Sequence, residues 1–136
     1  MVLTLTNKVC VVTGAACSIG LAIAERYTIY GAKVALLDIN PVVKNQAARL
    51  TDDGLTAAGY VVDVTNREAV LTCFEQIVQG FGPIYCLVNN AGLVDQRPFE
   101  QITPEQMDRI MRVNVYGALY CAQAAVPSMR VLKDGR

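Results

Sequence analysis

Four short apolar segments divide the first 90 residues of the chain, and a stretch with helical spacing follows each one. They cover residues 8–12, 33–39, 57–62 and 84–88. Segments of about four to eight residues, rich in β-branched side chains and bounded by Gly or Asp, are typical of buried strands. The resulting order, β-α-β-α-β-α-β-α, predicts an α/β fold in which helices cover both faces of a parallel sheet.

The spacing of apolar side chains predicts the first two helices. We expect the first helix to run from Ser18 to about Tyr30. Its buried face is predicted to contain Ile19, Ala22, Ile23, Tyr27 and Tyr30. A second helix is expected from the cap Asn40–Pro41 to about Leu50, since Asn is a common N-cap and Pro is favoured at the first helical position.

Two more helices are predicted with similar capping signals. Thr65 and Glu68 have the spacing of a capping box, which would open the third helix. The residues that this helix is expected to bury are Val70, Cys73, Phe74 and Ile77. The last helix is predicted to begin at Thr103 and to extend to about Ala125, before Pro127.

Composition and charge exclude several classes of protein. Twelve basic residues balance twelve acidic ones without forming a basic face for nucleic acid, and there is no histidine. No apolar run approaches the roughly 18 residues of a membrane span, and the N-terminal segment lacks a signal-peptide pattern. Five widely spaced cysteines without a CxxC pair indicate reduced thiols and no metal site. We therefore expect one cytoplasmic domain over residues 1–136, without nucleic-acid, membrane or metal partners.

The stretch 9–20 has the layout of a phosphate-binding turn. An apolar strand ends at Thr13 and Gly14, small residues follow, and the first helix begins at Ser18. Small residues let backbone N–H groups approach an anion, and the positive end of the helix points at it. With right-handed crossovers and a nucleotide at this turn, we expect a partial Rossmann-like, doubly wound sheet of strand order 3-2-1-4. The alternative is a tight strand–helix turn that binds no ligand.

Asp38 ends the second strand at the spacing expected of a carboxylate that binds the adenosine ribose. A carboxylate there accepts hydrogen bonds from both ribose hydroxyls and repels a 2′-phosphate. Neither the next residues, Ile39 and Asn40, nor the glycine turn is basic. This pattern predicts NAD(H) as the cofactor, with NADP(H) less favoured. The alternative is an aspartate that only caps the following helix.

Five segments, in the same order, resemble motifs of the short-chain dehydrogenases/reductases. Residues 13–20 resemble that family's TGxxxGxG loop, and residues 89–92 resemble its NNAG motif. Asp38 lies where NAD-preferring members carry an acidic residue, Asp63 where an aspartate meets the adenine, and Asn114 at the asparagine of a catalytic tetrad. The resemblance implies hydride transfer between a nicotinamide and an alcohol or ketone. It also implies dimers or tetramers built partly through the helix that contains Asn114.

By this resemblance, the cofactor-binding residues follow all four strands. They are Thr13, Gly14, Ser18, Ile19, Gly20, Asp38, Asp63, Val64, Asn90, Ala91 and Gly92. The catalytic candidate is Asn114. Ser18 departs from the family's pattern, which has glycine at that position. A serine adds a Cβ that can crowd the diphosphate, and a hydroxyl that can cap the helix or donate to a phosphate.

A second departure concerns proton transfer. The family uses a serine, a tyrosine and a lysine four residues after the tyrosine, and none of the six tyrosines here precedes a lysine at that spacing. The chain stops at Arg136, where the family's fifth strand would bring the serine. We therefore expect the cofactor-binding half of an oxidoreductase, truncated before the fifth strand and without tyrosine-based activity. The alternatives are a non-catalytic dinucleotide-binding or subunit-association module, or a gene remnant.

Two apolar surfaces predict self-association. The fourth strand, residues 84–88, contains no lysine or proline that would block pairing along its free edge. The last predicted helix carries apolar side chains on more than one side, so the sheet can cover only some of them. We expect a homo-oligomer or a poorly soluble product.

Overall fold

A four-stranded parallel sheet lies at the centre of the computed structural model, which describes residues 4–136. Residues 1–3, part of the N-terminal segment considered above, lie outside that description. The strands are β1 Val9–Thr13, β2 Lys33–Asp38, β3 Ala57–Val61 and β4 Ile84–Val88. They are hydrogen-bonded in the order β3-β2-β1-β4, and every pairing is parallel. The predicted strand order of 3-2-1-4 is confirmed.

Helices cover both faces of this sheet. They are α1 Ser18–Ile29, α2 Val42–Asp52, α3 Arg67–Phe81, α4 Pro104–Met111 and α5 Ala118–Leu132, and the π-helical segment Arg112–Gly117 joins α4 to α5. Successive side chains of a strand point to opposite faces. Val9 and Val11 of β1 therefore pack with α3 and α5, whereas Cys10 and Val12 pack with α1 and α2. The predicted α/β architecture, with helices on both faces, is confirmed.

The buried face of α1 differs from the prediction. Its fully buried residues are Gly20, Ala24 and Thr28, while Ile23 and Tyr27 are half-buried and Ile19 is 71% exposed. The predicted face, which included Ile19, Ala22 and Tyr30, is therefore wrong. The physical reason is the short distance between α1 and the end of β1, where only small side chains fit between helix and sheet. Large apolar side chains consequently lie at the margin or in solvent.

The next two helices begin close to the predicted positions, but with different caps. The Asn40 side chain accepts a hydrogen bond from the N–H of Val42 (3.0 Å), but the N-cap of α2 is Pro41, one residue later than the predicted cap. In α3 the cap is Asn66, whose Oδ1 accepts from the N–H of Ala69 (3.1 Å), and the predicted Thr65–Glu68 capping box is wrong. Thr65 instead donates its hydroxyl to Asp63, which removes it from the capping position. The four residues predicted to be buried in α3 are confirmed.

The last predicted helix is two α-helices joined by the π-helical segment. Its start is confirmed, because Thr103 and Gln106 form a complete capping box. Its predicted end before Pro127 is wrong, since α5 continues to Leu132 with Pro127 inside it. Pro127 lies on the exposed side, where water can satisfy the backbone carbonyl that proline leaves without a donor. Burial of Ser128 one residue later holds the helix against the rest of the fold.

The free edge of β4 has one hydrogen-bonded neighbour. The Arg136 N–H donates to the carbonyl of Tyr85 (2.9 Å), and the Arg136 carbonyl accepts from the N–H of Leu87 (3.0 Å). This is the pairing pattern of a parallel ladder, and it places Arg136 beside Cys86. The other backbone groups on this edge remain available for pairing. Within residues 4–136, no helix combines the length and the apolar character needed to cross a membrane.

Candidate functional site

The candidate site is a cleft of about 470 Å³ outside the carboxyl ends of the parallel strands. This is where ligands bind in open α/β sheets, because the strand order reverses there and adjacent loops separate. Seven of the predicted site residues line it: Gly14, Asp38, Asp63, Val64, Asn90, Ala91 and Gly92. The other cofactor candidates, Thr13, Ser18, Ile19 and Gly20, belong to the same strand end, turn and helix start but are not among the residues that line the cleft.

The glycine turn brings backbone segments together more closely than any side chain would allow. Gly14 has a φ of +66°, and a Cβ there would lie 2.9 Å from Nδ2 of Asn90. A Cβ on Gly20 would lie 2.1 Å from the carbonyl oxygen of Gly14. Both positions therefore require glycine. Their close approach places the N-terminal end of α1 directly after β1, as a phosphate-binding turn requires.

Ser18 occupies a left-handed backbone conformation, with a φ of 52°. This explains the glycine in the family's pattern, because residues with a Cβ adopt that conformation at a cost of about 1–2 kcal/mol. The N-cap of α1 is Cys17, and no side chain caps the helix, so the predicted capping role of the Ser18 hydroxyl is wrong. The hydroxyl is exposed and able to donate to a ligand. The side chain of Ile19 is also exposed, so Ile19 would contact a ligand at this turn through its backbone N–H.

A hydrogen-bond network joins the glycine turn to the loop after β4. The Thr13 hydroxyl donates to the carbonyl of Val88 (3.3 Å) and accepts from the N–H groups of Asn90 (3.1 Å) and Ala91 (3.0 Å). Nδ2 of Asn90 donates in turn to the carbonyls of Thr13 (3.0 Å) and Gly14 (3.1 Å). These two side chains thus serve mainly to hold the walls of the cleft in register.

Asp38 joins the end of β2 to the glycine turn. Its Oδ2 accepts from the N–H of Ala16 and its Oδ1 from the N–H of Asn40, both at 2.9 Å. Each carboxylate oxygen has lone pairs for further donors, so the side chain can also accept from ribose hydroxyls. Asp38 therefore ties the end of β2 to the glycine turn and keeps acceptor capacity for further donors.

Asp63 and Val64 form the next part of the cleft, after β3. Oδ1 of Asp63 accepts from the N–H and the hydroxyl of Thr65 (2.9 and 2.8 Å), which fixes a tight turn. Its other carboxylate oxygen remains available to a ligand. Val64 is buried and, with Val62 and Ile39, gives this end of the cleft an apolar surface.

Asn114 lies in the middle of the π-helical segment. Its Oδ1 accepts from the N–H of Leu93 (2.7 Å), and its Nδ2 donates to the carbonyl of the same residue (2.8 Å). The side chain therefore holds the loop that follows Gly92. π-Helical segments within α-helices occur frequently at functional sites, because they displace backbone groups from the regular ladder. Asn114 itself does not line the cleft.

The cleft also contains residues that the sequence patterns missed. Arg109, Arg112 and Val113 line it from α4 and the π-helical segment, and Cys17 lines it from the glycine turn. Positions 109, 112 and 113 share one helical face. Their spacing just before Asn114 is the sequence feature that could have indicated them as a group. No spacing rule could show which face of that helix turns towards the cleft.

Four of the five cysteines are buried, and all five are free thiols. Cys10 and Cys86 are direct neighbours on β1 and β4. Hydrogen bonding between these two thiols raises the pKa of Cys10 and lowers that of Cys86. Burial raises the pKa of Cys73 to about 12. Cys17 differs from the others because its thiol is exposed at the cleft.

Sequence comparisons agree with this architecture. The profile of the short chain dehydrogenase family matches residues 8–136. Sorbitol dehydrogenase of Cereibacter sphaeroides is 39% identical over 127 residues, which are 92% of this chain and 48% of that protein. A diacetyl reductase, (S)-acetoin forming, of Staphylococcus aureus is 41% identical over 130 residues, 95% of this chain and 50% of the relative. The 2-(S)-hydroxypropyl-CoM dehydrogenase 3 of Xanthobacter autotrophicus is 36% identical over 126 residues, which are 92% of this chain and 49% of the relative.

The chain spans about half the length of the curated relatives it matches. Within that half, the match includes the glycine turn, the loop after β4 and the helix that carries Asn114. A profile match over nearly the whole chain, with relatives about 40% identical, shows the family. The protein belongs to the short chain dehydrogenase family.

Proposed function

We propose that these residues form the cofactor-binding part of an oxidoreductase that transfers a hydride between NAD(H) and an alcohol or ketone. The observation that carries the proposal is the position of Asp38. Its carboxylate lies in the cleft, fixed by two backbone N–H groups and still able to accept hydrogen bonds. A fixed carboxylate beside a glycine turn suits the two hydroxyls of an adenosine ribose, and it disfavours a 2′-phosphate there.

The turn after β1 fits a dinucleotide diphosphate. The first intrahelical bond of α1 runs from the N–H of Leu21 to the carbonyl of Cys17, so the N–H groups of residues 18–20 have no partner within the helix. Together with the positive end of the helix, these groups attract an anion. Because Gly14 has no Cβ, a diphosphate can come close to the backbone at the end of β1.

The other end of the cleft fits the adenine ring. Ile39, Val62 and Val64 offer apolar contact, and the free oxygen of Asp63 can accept from the exocyclic amine. The bound nicotinamide would supply the hydride-transfer chemistry. What the described residues contribute is binding and orientation, because the chain has no tyrosine followed four residues later by lysine. Relatives named for sorbitol and diacetyl support an alcohol or ketone substrate for the complete activity.

Direct binding of both reduced cofactors tests the proposal. We expect the protein to bind NADH more tightly than NADPH, as measured by titration of nicotinamide fluorescence. Asp38→Ala should lower the ratio of the two affinities, because it removes the carboxylate that distinguishes them. Loss of the hydrogen bond to Ala16 affects both cofactors, so the ratio is the informative quantity. Asp53→Ala, at the exposed end of α2, is the matched control. Tighter binding of NADPH, with a ratio that Asp38→Ala leaves unchanged, would contradict the proposal.

A second candidate is a dinucleotide-binding or subunit-association module without catalytic activity. The observation in its favour is the row of exposed apolar side chains Met107, Met111, Val115 and Leu119, which suits association with another subunit. The same titration, combined with an assay for NADH oxidation by small ketones, separates the two functions. Binding without turnover by the native protein from its source supports the module, and turnover supports the enzyme. A gene remnant would show neither.

We also propose that a second copy of the chain covers an apolar stripe along the last two helices. Met107, Met111, Val115 and Leu119 follow one another every four residues, and all four are more than 40% exposed. Tyr116, stacked on Tyr120, extends the surface. A Leu119→Glu variant should sediment as a monomer at concentrations where the parent forms dimers or larger species. A monomeric parent at concentrations on the order of tens of micromolar would contradict the proposal.

A further inference from the structure

Two arginines bring positive charge to a cleft whose other charged groups are carboxylates. Arg109 lies in the last turn of α4, and Arg112 begins the π-helical segment. Both line the cleft, as Asp38 does. They are the cationic residues among those that line it. The glycine turn and the strand ends contribute no basic side chain of their own.

Neither arginine has an acidic partner in the structure. Within residues 4–136, the ion pairs involve Lys8, Arg49, Arg97 and Arg136, and not Arg109 or Arg112. The carboxylates of the cleft are likewise outside any ion pair, since Asp38 and Asp63 accept only from backbone N–H groups and a hydroxyl. Two unpaired cations therefore share one cleft with two unpaired anions.

This charge distribution matters because a dinucleotide is itself an anion. The diphosphate carries two negative charges at neutral pH, and two fixed carboxylates in the same cleft oppose its binding. The guanidinium groups restore a neutral cleft, and their exposure leaves them free to reorient towards a ligand. Arg109 and Arg112 are separated by three positions, which places both on the helical face that Val113 also shares.

We propose that Arg109 and Arg112 are cofactor-binding residues, which supply from α4 and the π-helical segment the positive charge that the glycine turn lacks. The inference rests on the proposed function, because it concerns the same dinucleotide. Their target is the diphosphate common to NADH and NADPH, which is a different group from the ribose recognised by Asp38. Charge, and not a particular hydrogen-bond geometry, is the property that the site requires of them.

The test compares three variants with the parent by NADH and NADPH titration at low and high salt. At about 20 mM NaCl, the double variant Arg109→Ala/Arg112→Ala should bind both cofactors about tenfold more weakly. At about 300 mM NaCl the difference should shrink, because mobile ions screen exposed charges. The double variant with lysine at both positions should stay within about threefold of the parent, since it keeps the charge. Arg130→Ala, on the exposed surface of α5, should change nothing.

Three results would overturn the inference while leaving the proposed function intact. They are double-alanine affinities within twofold of the parent, a loss that is equal at both salt concentrations, and a loss confined to NADPH. The last would show that the arginines recognise a 2′-phosphate instead. A parent that binds neither cofactor overturns the proposed function itself, and the inference with it. Thermal melting followed by circular dichroism checks that every variant is folded, as expected for exposed side chains without ion pairs.

Discussion

Substituting the same residue at two helical glycines should change stability in opposite directions. Gly20 lies in the first turn of α1, and a Cβ there would meet the carbonyl oxygen of Gly14 at 2.1 Å and that carbonyl's carbon at 2.8 Å. Gly80 lies in the last turn of α3, and a Cβ there would meet nothing within 4 Å. The two sites therefore separate steric cost from helix propensity.

The magnitudes follow from these contacts. Alanine is better than glycine in a helix by about 1 kcal/mol, so Gly80→Ala should raise the free energy of unfolding by up to that amount. At Gly20 the obstacle is backbone, which cannot rotate away, and helix and strand must separate by about 1 Å to accept the Cβ. Overpacking of this kind costs about 1–3 kcal/mol or more, and the cost outweighs the gain in propensity. We expect Gly20→Ala to lower the free energy of unfolding by about 2 kcal/mol.

Urea denaturation followed by circular dichroism measures both changes. The midpoint should rise for Gly80→Ala and fall for Gly20→Ala, with similar slopes if the denatured states are alike. Gly20→Ala should also weaken NADH binding, because the displaced helix moves its N–H groups away from the diphosphate. A Gly20→Ala variant as stable as the parent, or one stabilised like Gly80→Ala, would refute the close packing described for α1.

Three further predictions follow from single side chains. Ser18→Gly should raise the free energy of unfolding by about 0.5–1 kcal/mol in urea denaturation, because glycine adopts the left-handed backbone conformation of residue 18 without steric cost. Ser18→Ala keeps a Cβ and should give no such increase. Cys17 should be the single fast-reacting thiol towards a disulfide reagent, since the other four are buried, and NADH should slow its reaction; a Cys17→Ser variant that keeps the fast phase would contradict this. Burial raises the pKa of Cys73 from 9.0 to about 12, so the folded state keeps a proton that the unfolded chain loses. The protonated Cys73 thiol therefore contributes to stability below pH 9, and this contribution is lost as the pH rises towards 12. Over that range the free energy of unfolding should fall by about 1.4 kcal/mol per pH unit. Cys73→Ala should flatten that slope in urea denaturation series.

Local patterns were sufficient where a structural feature depends on neighbouring residues. The four strands are continuous apolar runs, and their bounds agree with the structure to within a residue or two. The buried positions of α3 and the capping box at Thr103 were also predictable, because helical spacing and cap chemistry act over three or four residues. The strand order followed from right-handed crossovers together with a nucleotide-binding turn after the first strand.

The wrong predictions share a different cause. The buried face of α1 depends on how closely the helix approaches β1, a distance that hydrophobic spacing does not encode. Likewise, proline usually ends a helix, yet α5 passes through Pro127 because that side faces water while the opposite side is packed. Both outcomes depend on elements that are distant in sequence.

The same distinction holds for the candidate site. Sequence alone indicated the glycine turn, Asp38 and the motif at residues 89–92, since their spacing reflects a phosphate-binding turn and the ends of neighbouring strands. Only the tertiary structure showed that Thr13 and Asn90 connect that turn to the loop after β4. Only the structure shows that Arg109 and Arg112 line the cleft. They belong to α4 and the π-helical segment, which begin more than sixty residues after Asp38. Contacts across such separations are decided by packing, which no local pattern records.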